Sequence, residues 1–345
     1  MKYNSLGNTD INVSSICLGT MMFGSEQDES EAFAQMDYAY EQGVNFLDGA
    51  EMYPIPTSPL YQGRNEEIIG SWLKTRNLRE QMVVATKVTG PGEMVSYIRP
   101  EMALDRRNIR EAVTNSLQRL QTDYIDLYQI HWPDRATNFF GQLNYQHQPE
   151  KDGTPILETL EVMDELVKEG LIRHVGLSNE TAWGTMSFSQ LAEQHDLPKC
   201  VSVQNPFSLL NRTVEVGLTE VLQRESVSLL PYSPLGFGVL SGKYLGDARP
   251  DNGRITRNPV FARYLTEQGQ LATQAYVDLA HKHDIDPAVM ALAWVNSRSY
   301  VASNIIGASS LAQLETNISS ASVILNDEIL SEIDAIHVRY PNPCP

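Results

Sequence analysis

The 345-residue chain sets 26 basic against 43 acidic side chains, a formal charge of −17 that argues against nucleic-acid and anionic-membrane partners. Its length suits two average domains or one large α/β barrel, which takes about 250 residues or more. An apolar fraction of 42% describes a globular protein, and three cysteines (Cys17, Cys200, Cys344) with no C-x-x-C pair argue against a disulfide framework.

The amino terminus lacks the long apolar core of a signal peptide. Its stretch KYNSLGNTDINVSS reads instead as a β-hairpin turning at Gly7–Asn8–Thr9–Asp10, placed to cap one end of the fold. Beyond it, short apolar or β-branched runs alternate with amphipathic stretches. The expected strands are Ile16–Thr20, Val44–Asp48, Met82–Val88, Ile125–His131, Ile172–Ser178, Val201–Asn205, Val227–Ser233 and Ser303–Ser309. Between the third and fourth, DRRNIREAVTNSLQRLQ puts Ile109, Val113, Leu117 and Leu120 on one helical face behind Asp105 as N-cap. ILETLEVMDELVKEG has the same character, with Gly170 closing it.

Eight strands, each followed by a helix or a long loop, predict an α/β fold of the (β/α)8 TIM-barrel type. Three connections exceed the usual length of roughly two to six residues: Thr89–Leu104, Pro133–Pro155 and Leu235–Leu265. All three follow strands, and so emerge at the face where barrel enzymes carry their active sites. After the last strand, NDEILSEIDAIHVRY adds an extra C-terminal surface helix. No Pro/Gly/Ser linker divides the chain, so residues 1–345 are expected to form a single domain. The longest apolar run, VMALAWV, is far shorter than the roughly 20 residues a membrane span takes, and the expectation is a cytoplasmic protein.

In such a barrel the polar residues at strand C-termini converge. They are Asp48 and then Tyr53 in NFLDGAEMYP, Lys87 in VVATKV, His131 in DLYQIHWP, Ser178–Asn179, Gln204–Asn205 and Tyr232–Ser233. Singly, each has a bland reading: a strand-end Asp caps a turn, a Tyr packs, a His is structural. Together, an acid, a phenol, an ammonium and an imidazole on successive strands make a proton-transfer site. A tyrosine with an ordinary pKa of about 10 can donate a proton at neutral pH, and a neighbouring cation favours the phenolate left behind. Lys87 supplies that cation, Asp48 orients it by an ion pair, and a neutral His131 aims a substrate carbonyl.

These four residues, with SSICLGTMMFG before them and IIGASSLAQLETN near the end, resemble the aldo-keto reductase superfamily over almost the full length. The family's Asp, Tyr, Lys and His correspond to Asp48, Tyr53, Lys87 and His131. Its usual D-T-A-x-x-Y-G reads DGAEMYP here, with Gly49 for Thr and Pro54 for Gly, and AEMYP is similar to the bacterial Tas-like branch, itself similar to the potassium-channel β-subunit group. The resemblance implies NADPH-dependent reduction of a small-molecule carbonyl compound. It implies that Tyr232 stacks on the nicotinamide, that Ser178, Asn179 and Gln204 hold its carboxamide, and that Ser233, Leu235 and Lys243 lie along the pyrophosphate. Thr20 and Met21 are also implied on the cofactor side. Ser309, Gln313 and Asn317 are implied at the adenosine end, with Arg254 or Arg257 facing the 2′-phosphate.

PLGFGVLSGKY is a decoy for other nucleotide motifs. It reads G-x-G-x-x-S, Phe237 stands where a P-loop needs its first glycine, and Tyr244 replaces the magnesium-binding Ser/Thr. It is expected to be a flexible glycine-rich loop. Met21, Met22, Phe23, Trp132, Phe139 and Phe140 cluster toward the predicted active face, and Phe23, Trp132, Phe139 and Phe140 are expected to line an apolar substrate pocket. The seven histidines form no H-E-x-x-H or H-x-H pair, so no metal is expected. A different class also fits the sequence: a regulatory subunit that binds NADPH and turns over slowly. Nothing in the sequence chooses an oligomeric state.

Overall fold

The structure, a computed structural model, describes residues 1–345. The chain opens with β1 (Tyr3–Ser5) and β2 (Asn12–Ser14), antiparallel and paired from Tyr3–Ser14 to Ser5–Asn12. The turn between them holds Gly7 at φ +57°, where a Cβ would stand 2.6 Å from the Val201 carbonyl oxygen, so both conformation and space demand glycine.

Eight parallel strands follow: β3 (Ile16–Gly19), β4 (Phe46–Asp48), β5 (Val83–Val88), β6 (Ile125–Ile130), β7 (Ile172–Ser178), β8 (Cys200–Pro206), β9 (Ser228–Tyr232) and β10 (Asn304–Ile306). Their hydrogen-bonded order is β10-β3-β4-β5-β6-β7-β8-β9. The two ends meet where the Leu229 N–H donates to the Tyr300 carbonyl (2.8 Å) and the Ala302 N–H to the Leu229 carbonyl (3.1 Å), which closes the barrel. Every expected strand is present. Several are shorter than their apolar runs, because the flanking residues reach past the last ladder bond.

Outside the strands lie α1 (Glu29–Glu41), α2 (Arg64–Arg76), α3 (Arg106–Leu120), α4 (Ile156–Lys168), α5 (Ala182–His195) and α6 (Leu218–Glu225). After the single turn α7 (Arg254–Arg257) come α8 (Glu267–Lys282), α9 (Pro287–Asn296), α10 (Leu311–Ser319) and α11 (Asp327–Arg339). Helix α3 starts where Asp105 accepts the Asn108 N–H (2.8 Å) and buries Ile109, Val113 and Leu120. Helix α4 ends before Gly170, at φ +76°. A large apolar core lies between strands and helices, and α11 docks on it through Ile329 and Ile333.

A second apolar cluster fills the amino-terminal end of the barrel. Leu6, Ile11 and Val13 of the hairpin meet the inward-facing Cys17, Phe46, Ala85, Leu127 and Leu230 there. The hairpin is thus the plug its sequence suggested. The three long loops are present at the opposite end, together with a fourth, residues 49–63 between β4 and α2. That loop carries Tyr53, and its length is hidden in the sequence because DGAEMYP resembles a tight turn.

Candidate active site

Strands β4, β5 and β6 build the floor of the open end. Side chains two residues apart on a strand share a face. Asp48, Lys87 and Gln129 therefore continue inward above Phe46, Ala85 and Leu127, where the barrel turns from apolar to ionic. Lys87 has no exposed surface, and its Nζ donates to Asp48 Oδ2 and to the Gly49 carbonyl, each at 2.7 Å. Asp48 Oδ1 accepts from Gln129 Nε2 (3.0 Å) and Gln204 Nε2 (2.8 Å). A buried carboxylate with one cation and two amide donors is compensated on both oxygens, as a buried charge must be.

Tyr53 lies over this pair, with its ring centroid 4.9 Å from Lys87 Nζ. Burial raises the phenol's pKa above its ordinary value, and the Lys87 charge opposes that rise. Burial also works against the charge of Lys87, but Asp48 and Tyr53 outweigh it and hold the ammonium above its ordinary pKa. The His131 ring stands edge-on to Tyr53 at 5.6 Å between centroids. Burial, and then the nearby Lys87 charge, push its pKa well below the usual imidazole value, so the ring is neutral. Its Nδ1 is buried with no protein partner. The four residues expected to converge do so.

The ends of β7, β8 and β9 form the adjoining wall. Ser178 Oγ donates to the Gln204 carbonyl (2.9 Å), and Asn179 Nδ2 to the His131 carbonyl (2.9 Å). Tyr232 donates its hydroxyl to Asn179 Oδ1 (2.7 Å), which ties the ring expected to stack on a cofactor to one of the expected carboxamide contacts. Asn179 and Ser233 both adopt left-handed backbone, φ +53° and +54°. At β3, Thr20 Oγ1 donates to the Asp48 carbonyl (2.8 Å) and accepts from Asn65 Nδ2 (2.9 Å), while Met21 packs against the apolar cluster that includes Tyr53.

The stretch expected to be a flexible loop is pinned instead. Its turn at Val239–Ser241 buries Val239 and Leu240, and the half-buried Leu235 packs on the main core. Gly238, at φ +91°, lies under Lys243: a Cβ there would stand 2.9 Å from Nζ. Burial and the charges of Arg254 and Arg257 lower the Lys243 pKa, which marks a cluster of three cations. Only Arg257 is paired, with Glu26 at 2.6 Å. A small pocket among Arg254, Arg257, Glu26 and Ser309 opens beside it. Helix α10 begins there with Ser310 as N-cap, and Ser309 lies outside the helix with its N–H donating to Gln313 Oε1 (3.1 Å). Asn317 is buried and donates to the Gly307 carbonyl (3.1 Å).

Three of the expected pocket aromatics meet. Trp132 stacks on Phe139 at 6.2 Å, and Phe140 meets both rings edge-on, at 5.5 Å from Trp132 and 5.1 Å from Phe139. Phe23 is not with them. The chain turns back at Met22 and Phe23, and Phe23 is buried in the main core rather than in the cluster that holds Trp132.

Sequence reasoning missed Gln129, Glu51 and Arg99. Gln129 had a readable signal, since inward alternation places it between Leu127 and His131. Glu51 and Arg99 form a buried ion pair across 48 residues of sequence, and no local pattern announces it.

The open end of the eight-stranded barrel thus buries an Asp–Lys pair beneath a tyrosine and a neutral imidazole. The aldo/keto reductase family model matches residues 15–338. Protein tas of Escherichia coli is 50% identical over the whole of both chains. An aldo-keto reductase of Babesia bovis is 36% identical over 76% of this chain and 98% of its own, and the uncharacterized oxidoreductase YrpG of Bacillus subtilis is 33% identical over 99% and 97%. The chain belongs to the aldo/keto reductase family, whose members use nicotinamide cofactors on small carbonyl compounds. None of its helices is long and apolar enough to cross a membrane.

Proposed function

We propose that the whole chain acts in the cytoplasm as one catalytic domain, an NADPH-dependent reductase of aldehydes and ketones with Tyr53 as its general acid. The observation that carries this reading is the fully buried Lys87–Asp48 pair at 2.7 Å beneath the Tyr53 ring. The cationic cluster of Lys243, Arg254 and Arg257 fits a phosphorylated dinucleotide, because two of its three charges lack a carboxylate. Tyr232, Ser178, Asn179 and Gln204 would hold the nicotinamide end; Thr20, Met21, Ser233 and Leu235 would border it; Ser309, Gln313 and Asn317 would hold the adenosine end. When bound, NADPH supplies the hydride that reaches the carbonyl carbon.

The remaining steps belong to the chain. Neutral His131 donates to the carbonyl oxygen and fixes its direction. The Tyr53 O–H bond breaks and its proton goes to that oxygen, giving an alcohol, while Lys87 stabilises the phenolate until solvent returns a proton. Asp48 holds Lys87 in place, and the amides of Gln129 and Gln204 hold Asp48. Trp132, Phe139 and Phe140 supply an apolar wall suited to aromatic or medium-chain substrates.

The test is NADPH and NADH oxidation by the purified protein against aromatic and dicarbonyl aldehydes. The reading predicts turnover with NADPH preferred, and an Arg254→Ala variant that loses the preference. Tight NADPH binding without turnover across the panel would replace it with the regulatory-subunit reading.

A further inference from the structure

The loop that carries Tyr53 is held by an ion pair that the four-residue site does not use. Glu51 stands two residues before Tyr53 and is 1% exposed; Arg99, in the loop between β5 and α3, is 3% exposed. Arg99 grips both carboxylate oxygens, Nη1 to Oε2 at 2.5 Å and Nη2 to Oε1 at 2.9 Å. Glu51 Oε1 also accepts the Thr89 N–H at 2.7 Å, two residues beyond Lys87. The Glu51 carbonyl in turn accepts from Gln62 Nε2 at 2.7 Å, and the Gly63 N–H closes the loop onto the Tyr53 carbonyl at 3.0 Å. On the far side, Arg99 Nε donates to Asn108 Oδ1 of α3 at 3.3 Å.

One carboxylate therefore joins the Tyr53 loop, the end of the Lys87 strand and the loop whose Val95 shares an apolar cluster with Tyr53, with Ile98 packed against that cluster. Stability alone is a weak reason for such a pair. A buried ion pair is often no better than apolar residues of the same volume, because desolvation offsets the attraction. What the pair supplies is direction: a planar fork on a carboxylate fixes distance and angle together.

We propose that Glu51 and Arg99 are positioning residues that set the Tyr53 hydroxyl at its working distance from Lys87 and the substrate oxygen. This rests on the reductase reading above. A misplacement of about 1 Å in such a site can cost roughly 100-fold in rate. The pair acts through Tyr53 and touches neither cofactor nor substrate.

The experiment compares wild type, Glu51→Gln, Arg99→Lys and Tyr53→Phe for NADPH affinity, kcat, the pH profile of kcat and Tm. Glu51→Gln keeps the shape and the acceptor for Thr89 but removes the charge; Arg99→Lys keeps the charge but loses the two-pronged grip. The expected result is a kcat lowered about 10- to 100-fold in both. NADPH affinity should stay within about twofold, and the alkaline limb of the kcat profile should move as the phenol–ammonium geometry changes. Should Glu51→Gln fail to fold, Arg99→Lys, which leaves no unpaired buried charge, carries the test. A lowered Tm with wild-type kcat and an unmoved pH profile would overturn the proposal, since a merely structural clasp does that. If Tyr53→Phe abolishes turnover while the other two variants do not reduce it, the clasp alone falls. If Tyr53→Phe stays active, both readings fall together.

Discussion

The two ends of the barrel are made by the same strands with opposite chemistry. Phe46, Ala85 and Leu127 point into the amino-terminal end, where the hairpin residues Leu6, Ile11 and Val13 seal them from water. Two positions further along the same three strands, and on the same face, stand Asp48, Lys87 and Gln129. The plugged end gains from every apolar contact. The open end carries buried charges that must each be matched, which costs stability and leaves a polar site shielded from water. The backbone is common to both, so the division of labour lies in single residues at strand ends.

The sharpest way to break the contrast is Lys87→Met. It leaves Asp48 buried with no cation, a loss of about 3–5 kcal/mol, and removes the charge beside the phenol, so turnover should drop by about 10²- to 10⁴-fold. Urea unfolding and steady-state assays would register both effects. Leu6→Ala attacks the plugged end instead. A cavity there should cost about 2–5 kcal/mol, while kcat per folded molecule stays at the wild-type value; a fall in kcat would deny that the ends are separable.

How much of this was legible beforehand differed between the two ends. Lys87 in VVATKV and His131 in LYQIHWP interrupt apolar alternation, and a strand that ends on a charge advertises itself. Asp48 stood out for the same reason, and Tyr53 through the DGAEMYP stretch that begins there. The plug was legible as a hairpin because Gly7 sits where a tight turn needs it. Glu51 was not, since its partner Arg99 is distant in sequence and the pair forms only when two loops fold together. Phe23 misled because its neighbours in sequence face the site while its own ring turns into the core. The connections Thr89–Leu104 and Pro133–Pro155 were visible by length, but their side-chain directions come from tertiary contacts that no period encodes.

A gentler test uses pH. His131 has a pKa well below the ordinary value because burial and Lys87 disfavour its charged form. Below about pH 6.5 the unfolded chain takes up a proton that the folded chain refuses, so stability falls as pH falls. The slope from this one group approaches about 1.4 kcal/mol per pH unit. Denaturation midpoints at pH 5 and pH 7 should differ less in His131→Asn than in wild type, and an equal difference would contradict a buried neutral ring. Smallest of all is Asp105→Ala, which removes the cap of α3 far from either end. About 1 kcal/mol should be lost, with no change in turnover.

The most direct test of the central claim is a single-turnover measurement of NADPH oxidation with excess enzyme and an aromatic aldehyde, wild type against Tyr53→Phe. Removing one oxygen atom from a buried ring should leave NADPH affinity nearly unchanged and slow the reaction by about 10²- to 10⁴-fold. A Tyr53→Phe rate within a few fold of wild type would mean that the proton comes from another group, and that the Lys87–Asp48 pair beneath Tyr53 serves some purpose other than proton transfer.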